Sequence, residues 1–236
     1  QPSPDTFMKV FNEAVAAGDD VLGIFISSDL SGTYQSACLA ALDVEEETRK
    51  KLYMVDSRSA SIGTALLIRE AVKLRDAGVN VSDIAAACTE MSKYIKLTAV
   101  VGSLKYLKMG GRLSGAAAFA GTMLHITPVV SIEDGKVVVI GKTRGKKAAE
   151  KLMHDKLIKD GLSLTRDFMF GHINCSESLE TFINKSLTYI SDVNGNVGVS
   201  SIGCSVGTHV GPGTYGIAYV EAAESGMNRE SIVKTA

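Results

Sequence analysis

The sequence predicts an α/β protein in two parts, a parallel-sheet domain over residues 1–97 followed by an α+β domain over residues 98–236. Three observations lead there. Apolar, β-branched runs alternate with helical periodicity through the N-terminal part, the rhythm of βαβ units. After Ser103 the pattern changes to a helical stretch broken by Gly110, Gly111 and Gly115. Beyond it, "TPVVSIEDGKVVVIGK" alternates on both sides of Asp134-Gly135, the signature of a hairpin closed by a type I′ turn.

Each element has its own signal. Ser3 as N-cap, Pro4 at the first helical position, Phe7, Val10, Phe11 and Val15 on one face, and Gly18 as a stop predict the first helix. Val21 to Ile26 forms a strand, a helix starts near Thr33, and "KLYMVDS" gives a second strand ending at Asp56 and Ser57. Leu66, Leu67, Ala71 and Leu74 mark a third helix, and a fourth starts near Ser82. "LTAVVGS" then reads as the next strand of a parallel sheet with right-handed crossovers. After the hairpin come a helix (about 144 to 159), a strand (167 to 173), a helix (about 177 to 190), a strand (197 to 203) and a last strand. In open α/β sheets the ligand crevice lies at the carboxyl ends of the strands.

Composition constrains function mainly by exclusion. At 236 residues and 45% hydrophobic, the chain can bury a substantial core. A net charge of −1 provides no field to attract nucleic acid or an anionic membrane. The four cysteines, Cys38, Cys88, Cys175 and Cys204, form no CxxC pair and sit in apolar or small-residue segments, which points to a reducing cytoplasm. No stretch is apolar enough to span a bilayer, so no stable membrane insertion is expected. No His, Cys or acidic pair has metal-site spacing, and no cofactor is expected.

Three clusters could carry chemistry. In "SSDLSGT", residues 27–33, a strand end opens into a helix, where backbone N–H groups and the helix dipole favour an anion; the same residues could equally be caps, with Asp29 or Ser31 at the N-cap. Gly32 belongs to no nucleotide phosphate-loop pattern. "SVGTHVGPG", residues 205–213, reads as a tight loop around Thr208 and His209, and its glycines suggest a close approach. "GGRLSG", residues 110–115, holds Arg112, which could clamp a carboxylate or phosphate or pair with a surface acid. "VDSRSAS", residues 55–61, should cap its helix at the same crevice edge. His125, His154 and His172 carry less signal, and the basic run 141–151 reads as a solvated helix start.

"QPSP", "SSDLSGTYQSA", "VDSRSAS", "LKYLKMGGRLSG", the "ITPVVSIEDGK" hairpin and "GTHVGPG", in this order, resemble the DegV family, bacterial fatty-acid-binding proteins that include the FakB subunits of fatty acid kinase. The resemblance implies a Rossmann-like parallel-sheet domain, a second domain with a mixed sheet, and a long-chain fatty acid in an apolar tunnel between them. It implies that Ser31 and Gly32 hold the carboxylate, with His209 and Arg112 completing a polar network; Thr208, beside His209, is a further candidate for that site. Phe119, Met123, Leu124 and Ile126 are then candidate tunnel walls. A FakB-like chain would be a non-enzymatic carrier that presents its acid to a separate ATP-dependent kinase, which forms an acyl phosphate; a monomer is the default expectation. Members of that family begin with a further βα segment carrying "TDS" and usually place a Thr-Ser pair before "QPSP". This sequence starts at "QPSP", and the threonine of that pair would join the carboxylate network.

An acyl ligand also satisfies the energetics. Burying about fifteen methylenes at roughly 0.8 kcal/mol each is worth on the order of 12 kcal/mol before entropic costs. A buried carboxylate needs hydrogen bonds throughout, which hydroxyls, an amide N–H, a His and an Arg would supply. Two other function classes compete with this one. Ser31 or Thr33 as nucleophile with His209 as base would make a serine hydrolase, although no GxSxG elbow is present. A binding module for another small carboxylate or phosphate would need no tunnel.

Overall fold

The computed structural model describes residues 1–113, 126–161, 163, 166–189 and 196–222, and these form a mixed α/β architecture with two sheets. The first helix, α1 (Pro4–Ala17), starts as its sequence dictates. Ser3 is extended and its hydroxyl accepts from the Thr6 N–H, Pro4 opens the helix, and Gly18 closes it at φ 87°. Strand β1 (Leu22–Phe25), helix α2 (Thr33–Thr48) and strand β2 (Tyr53–Asp56) follow, with β1 and β2 parallel and Leu22 opposite Tyr53. Helices α1 and α2 share a core of Phe11, Ala37, Ala40, Ala41 and Val44, and Phe7 meets the Phe25 ring edge-on at 5.6 Å.

Next come α3 (Ile62–Asp76), α4 (Val81–Met91), β3 (Ile95–Val100) and the short α5 (Lys105–Met109). The hairpin pairs β4 (Thr127–Glu133) with β5 (Lys136–Thr143). Asp134 at φ 48° and Gly135 at φ 81° give its turn the two positive φ values that a type I′ connection requires. The chain continues through α6 (Lys146–Asp160), β6 (Phe168–His172), α7 (Ser176–Tyr189), β7 (Val197–Ser201), α8 (Cys204–Val210) and β8 (Tyr215–Val220).

Strand β3 departs from expectation. It does not extend the parallel pair. It lies in a six-stranded sheet of order β5-β4-β3-β8-β6-β7, antiparallel to both β4 and β8. Ile95, Leu97 and Ala99 alternate with Lys96 and Thr98, a pattern that marks a strand without saying which sheet holds it. Strand β8 is buried along its whole length. Tyr215, Ile217 and Tyr219 face α6 and α7, while Ala218 and Val220 face α3 and α4. Helices α3 and α4 thereby fill the space between the two sheets, with Leu66, Leu67 and Cys88 wholly inaccessible.

A buried ionic cluster fixes α3 to the segment entering β6. Glu70, 1% exposed, accepts from Arg166 at 2.7 Å and from Lys73 at 2.8 Å. Asp167, 2% exposed, contacts Lys73 at 2.7 Å and Arg69 at 3.0 Å, and accepts from the Asn196 N–H at 3.1 Å. Burial pushes the Asp167 carboxyl up, but the Lys73, Asn196 and Arg69 hydrogen bonds and the Lys73 charge outweigh it and hold the group below its ordinary value.

Arg166→Leu strips the Glu70 carboxylate of a buried cation and should lower unfolding free energy by about 3–5 kcal/mol, read from urea denaturation. The Asp167 carboxyl titrates lower folded than unfolded. Its contribution to stability is therefore full above the unfolded value of about 3.9 and is lost as pH falls through the lower folded value. Asp167→Asn should flatten that acid limb of the stability curve.

Candidate functional site

The loops that follow β1 and β2 face the mixed sheet, and between them lies a cavity of about 550 Å³, within the range of about 300–1,000 Å³ usual for small-molecule sites. Its body is built from strands. Leu97 and Ala99 of β3 stand opposite Ile132 and Val130 of β4 on one sheet face, and Val137 of β5 joins them. Gly216 of β8, the register partner of Ala99, continues the floor; a Cβ there would lie 2.2 Å from the Thr98 carbonyl oxygen. Ile26, Leu30, Ala60 and Ile62 close the opposite side. Ser61 lines it too, at φ 48°, in the left-handed region that favours glycine.

The stretch 27–33 divides its labour. Ser27 is wholly buried; its hydroxyl donates to the Gly135 carbonyl at 2.7 Å and accepts from the Asp29 N–H at 3.2 Å. It therefore holds the hairpin tip, assisted by Lys136 near Asp29 at 3.4 Å and Arg58 near Asp134 at 3.2 Å. The Asp56 carboxylate accepts from the Ser28 and Arg58 N–H groups, which ties the ends of β1 and β2 together. Ser31 sits one residue before the N-cap position; its hydroxyl accepts from the Thr33 N–H at 3.3 Å, meets the Thr33 hydroxyl at 2.8 Å, and lines the cavity. Gly32 occupies the N-cap position of α2, and a Cβ there would strike the Gln1 carboxamide, itself a neighbour of the cavity.

Arg112 and His209 come to the same end. Arg112 Nε donates to the Leu30 carbonyl at 3.0 Å and Nη1 to the Gly110 carbonyl at 2.7 Å, so the guanidinium straps the segment after α5 to the loop carrying Ser31. Gly110 is where His209 packs; a Cβ there would lie 2.1 Å from the imidazole Nδ1. That Nδ1 is shielded from solvent and has no hydrogen-bond partner among the described residues, an uncommon state that calls for an acceptor or donor to complete it. Neither a hydrogen bond from Ser31 to His209 nor a carboxylate behind His209 is present among the described residues, so the hydrolase geometry is not assembled.

Residues 204–210 form helix α8 where the sequence suggested a loop. Gly203 is extended at its start, Gly211 ends it at φ 79°, and Pro212 follows, so these residues punctuate a two-turn helix. Helical rotation separates neighbours. His209 lines the cavity, while Thr208 is exposed and donates to its own helix at the Cys204 carbonyl, 2.8 Å away; the structure does not bring Thr208 to the site.

Of the candidate tunnel walls, Phe119, Met123 and Leu124 lie outside the described residues, and half-buried Ile126 does not line this cavity. The apolar walls come instead from β3, β4 and β5, segments whose alternation the sequence shows as a strand and a hairpin. His125 also lies outside the described residues. His154 is buried, stacks on Phe182 at 5.2 Å and hydrogen-bonds Ser186 at 2.9 Å, and burial lowers its pKa. His172 accepts from the Cys175 N–H. Among the described residues no group of His, Cys, Asp and Glu could hold a metal, and no helix is long and apolar enough to cross a membrane.

The profile of the family described as "Uncharacterised protein, DegV family" matches residues 1–222. A DegV domain-containing protein of Clostridium acetobutylicum is 35% identical over 229 residues, covering 93% of this chain and 76% of that protein. Among solved structures, a fatty-acid-binding DegV family protein from Thermus thermophilus superposes with a TM-score of 0.81 at 32% identity, over 93% of this chain and 78% of that one. A DegV lipid-binding protein from Thermotoga maritima gives 0.81 at 28% identity, over 95% and 77%.

Ser27→Ala leaves the Gly135 carbonyl buried without its donor and should cost about 1–3 kcal/mol of stability. Amide exchange should locate the loss, with faster exchange in the β4–β5 hairpin than in β6 or β8.

Proposed function

The chain belongs to the DegV family, and from that premise we propose that it binds a long-chain fatty acid, with the acyl chain against the β3, β4 and β5 side chains and the carboxylate at the Ser31, Thr33, Arg112 and His209 end. The observation that carries this reading is the unpartnered His209 Nδ1, shielded at the polar end of an otherwise apolar cavity. A carboxylate supplies the acceptor that a protonated Nδ1 needs, and hydroxyls and a guanidinium beside it offset the cost of removing the charge from water. An apolar body supplies the rest of the affinity, because each buried methylene adds roughly 0.8 kcal/mol. The fatty-acid-binding relatives from Thermus thermophilus and Streptococcus agalactiae, the latter 25% identical with a TM-score of 0.80, support the same ligand class.

On this reading the chain is a carrier and performs no chemistry itself. It shields the acyl chain from water and orders the carboxylate, which a separate kinase can then phosphorylate by transferring the γ-phosphoryl group of ATP to a carboxylate oxygen. The products are an acyl phosphate and ADP.

Native mass spectrometry of the purified protein, followed by extraction, should find a stoichiometric long-chain acid. Delipidated protein that takes up no acid of any chain length overturns the reading. Ser31→Ala and His209→Ala should each weaken binding of the acid by about 1–3 kcal/mol while leaving binding of the corresponding alcohol less affected, as measured by calorimetry.

A further inference from the structure

We infer that Ile132 closes the acyl end of the cavity and sets the longest chain the protein accepts, an inference that rests on the fatty-acid reading above. Two successive same-face residues of β3, Ala99 and Leu97, line the cavity. At the C-terminal end of β3 lie Arg112, reached through α5, and the segment carrying His209 and Thr214, which enters β8 where Tyr215 pairs with Val100. Moving away from that end along one strand face, in steps of about 6.6 Å, come Ala99 opposite Val130 and then Leu97 opposite Ile132. The next β3 residue on that face is Ile95, and it does not line this cavity.

Ile95 lines a second cavity instead, of about 570 Å³, whose other walls include Arg58, Lys96, Glu133 and Lys156. Among the described residues Ile132 alone borders both spaces. Its side chain, 8% exposed, is the partition between an apolar chamber and a charged one. The cations of the second chamber have partners: Arg58 lies 3.2 Å from Asp134, Lys156 3.5 Å from Glu133 and Lys96 3.0 Å from Glu221. That chamber therefore has no need of an anionic ligand. An acyl terminus forced past Ile132 would strip water from these ion pairs and offer nothing in return. Chain length is limited by chemistry beyond the wall as well as by the wall itself.

The test is a chain-length profile of delipidated protein against saturated fatty acids increasing by two methylenes. Ile132→Ala removes three carbons from the partition and should raise affinity for the acid two methylenes longer than the wild-type optimum by about tenfold. Ile132→Phe should move the optimum shorter. It also decides the matter should the Ala variant fail to fold. Profiles that superimpose on the wild type, with all proteins binding acid, overturn the inference and leave the fatty-acid reading standing. Wild-type protein that binds no acid at all removes both. Affinity that does not depend on chain length in any of the three proteins also overturns it, and points to a short ligand.

Discussion

The hydrogen bond from Ser27 to the Gly135 carbonyl is the contact on which the cavity depends. Strands β3, β4 and β5 present an apolar face that a helix would ordinarily cover. Here the loops after β1 and β2 stand over it, and the gap between them is the cavity. The type I′ turn brings Gly135 within reach of Ser27, and the Arg58 and Lys136 ion pairs flank the bond on the outside. Exposed pairs of this kind contribute little alone. The buried hydroxyl does more, because an unpartnered carbonyl at that point would carry its full desolvation cost.

A second clamp acts on the far side of α3. The Glu70, Arg166, Lys73 and Asp167 cluster holds that helix to the entry of β6, while its apolar residues pack between the sheets. Buried ion pairs are weak contributors to net stability but penalise every arrangement that separates them. The cluster therefore fixes α3 against the entry of β6, and the Ser27 contact fixes the position of the hairpin over the loops. Between them the cavity keeps its width without side chains filling it.

Much of this was legible in the residues. Ser3, Pro4 and Gly18 fix α1, and Asp134-Gly135 fixes the hairpin, because caps and positive-φ turns are local requirements that few residues meet. Ser31, Arg112 and His209 were marked by the company of glycine, and Gly110 explains why: it leaves room for an imidazole and its own φ is ordinary. Other features are set by pairing at long range. Strand β3 shows the same alternation of Ile95, Leu97 and Ala99 with Lys96 and Thr98 whichever sheet holds it. Ser27 looks like a cap until the hairpin arrives from far along the chain. Thr208 beside His209 looks like part of one site until helix α8 turns the two in different directions. The cavity walls show only as strands because a chamber lined by alternating strand residues has the same pattern as a filled one.

The order of the mixed sheet also bears on when the chamber can exist during synthesis. Strand β8, the last described strand, lies between β3 and β6, and β3 has no partner on that side until Tyr215 to Val220 have emerged. Such distant pairing is slow to nucleate, and the nascent chain carries the bare edge of β3 meanwhile. The segment that holds Ser31 precedes β8 in the chain, so the floor of the cavity closes only after β8 has been made. The cavity therefore takes its shape only once β8 has paired with β3.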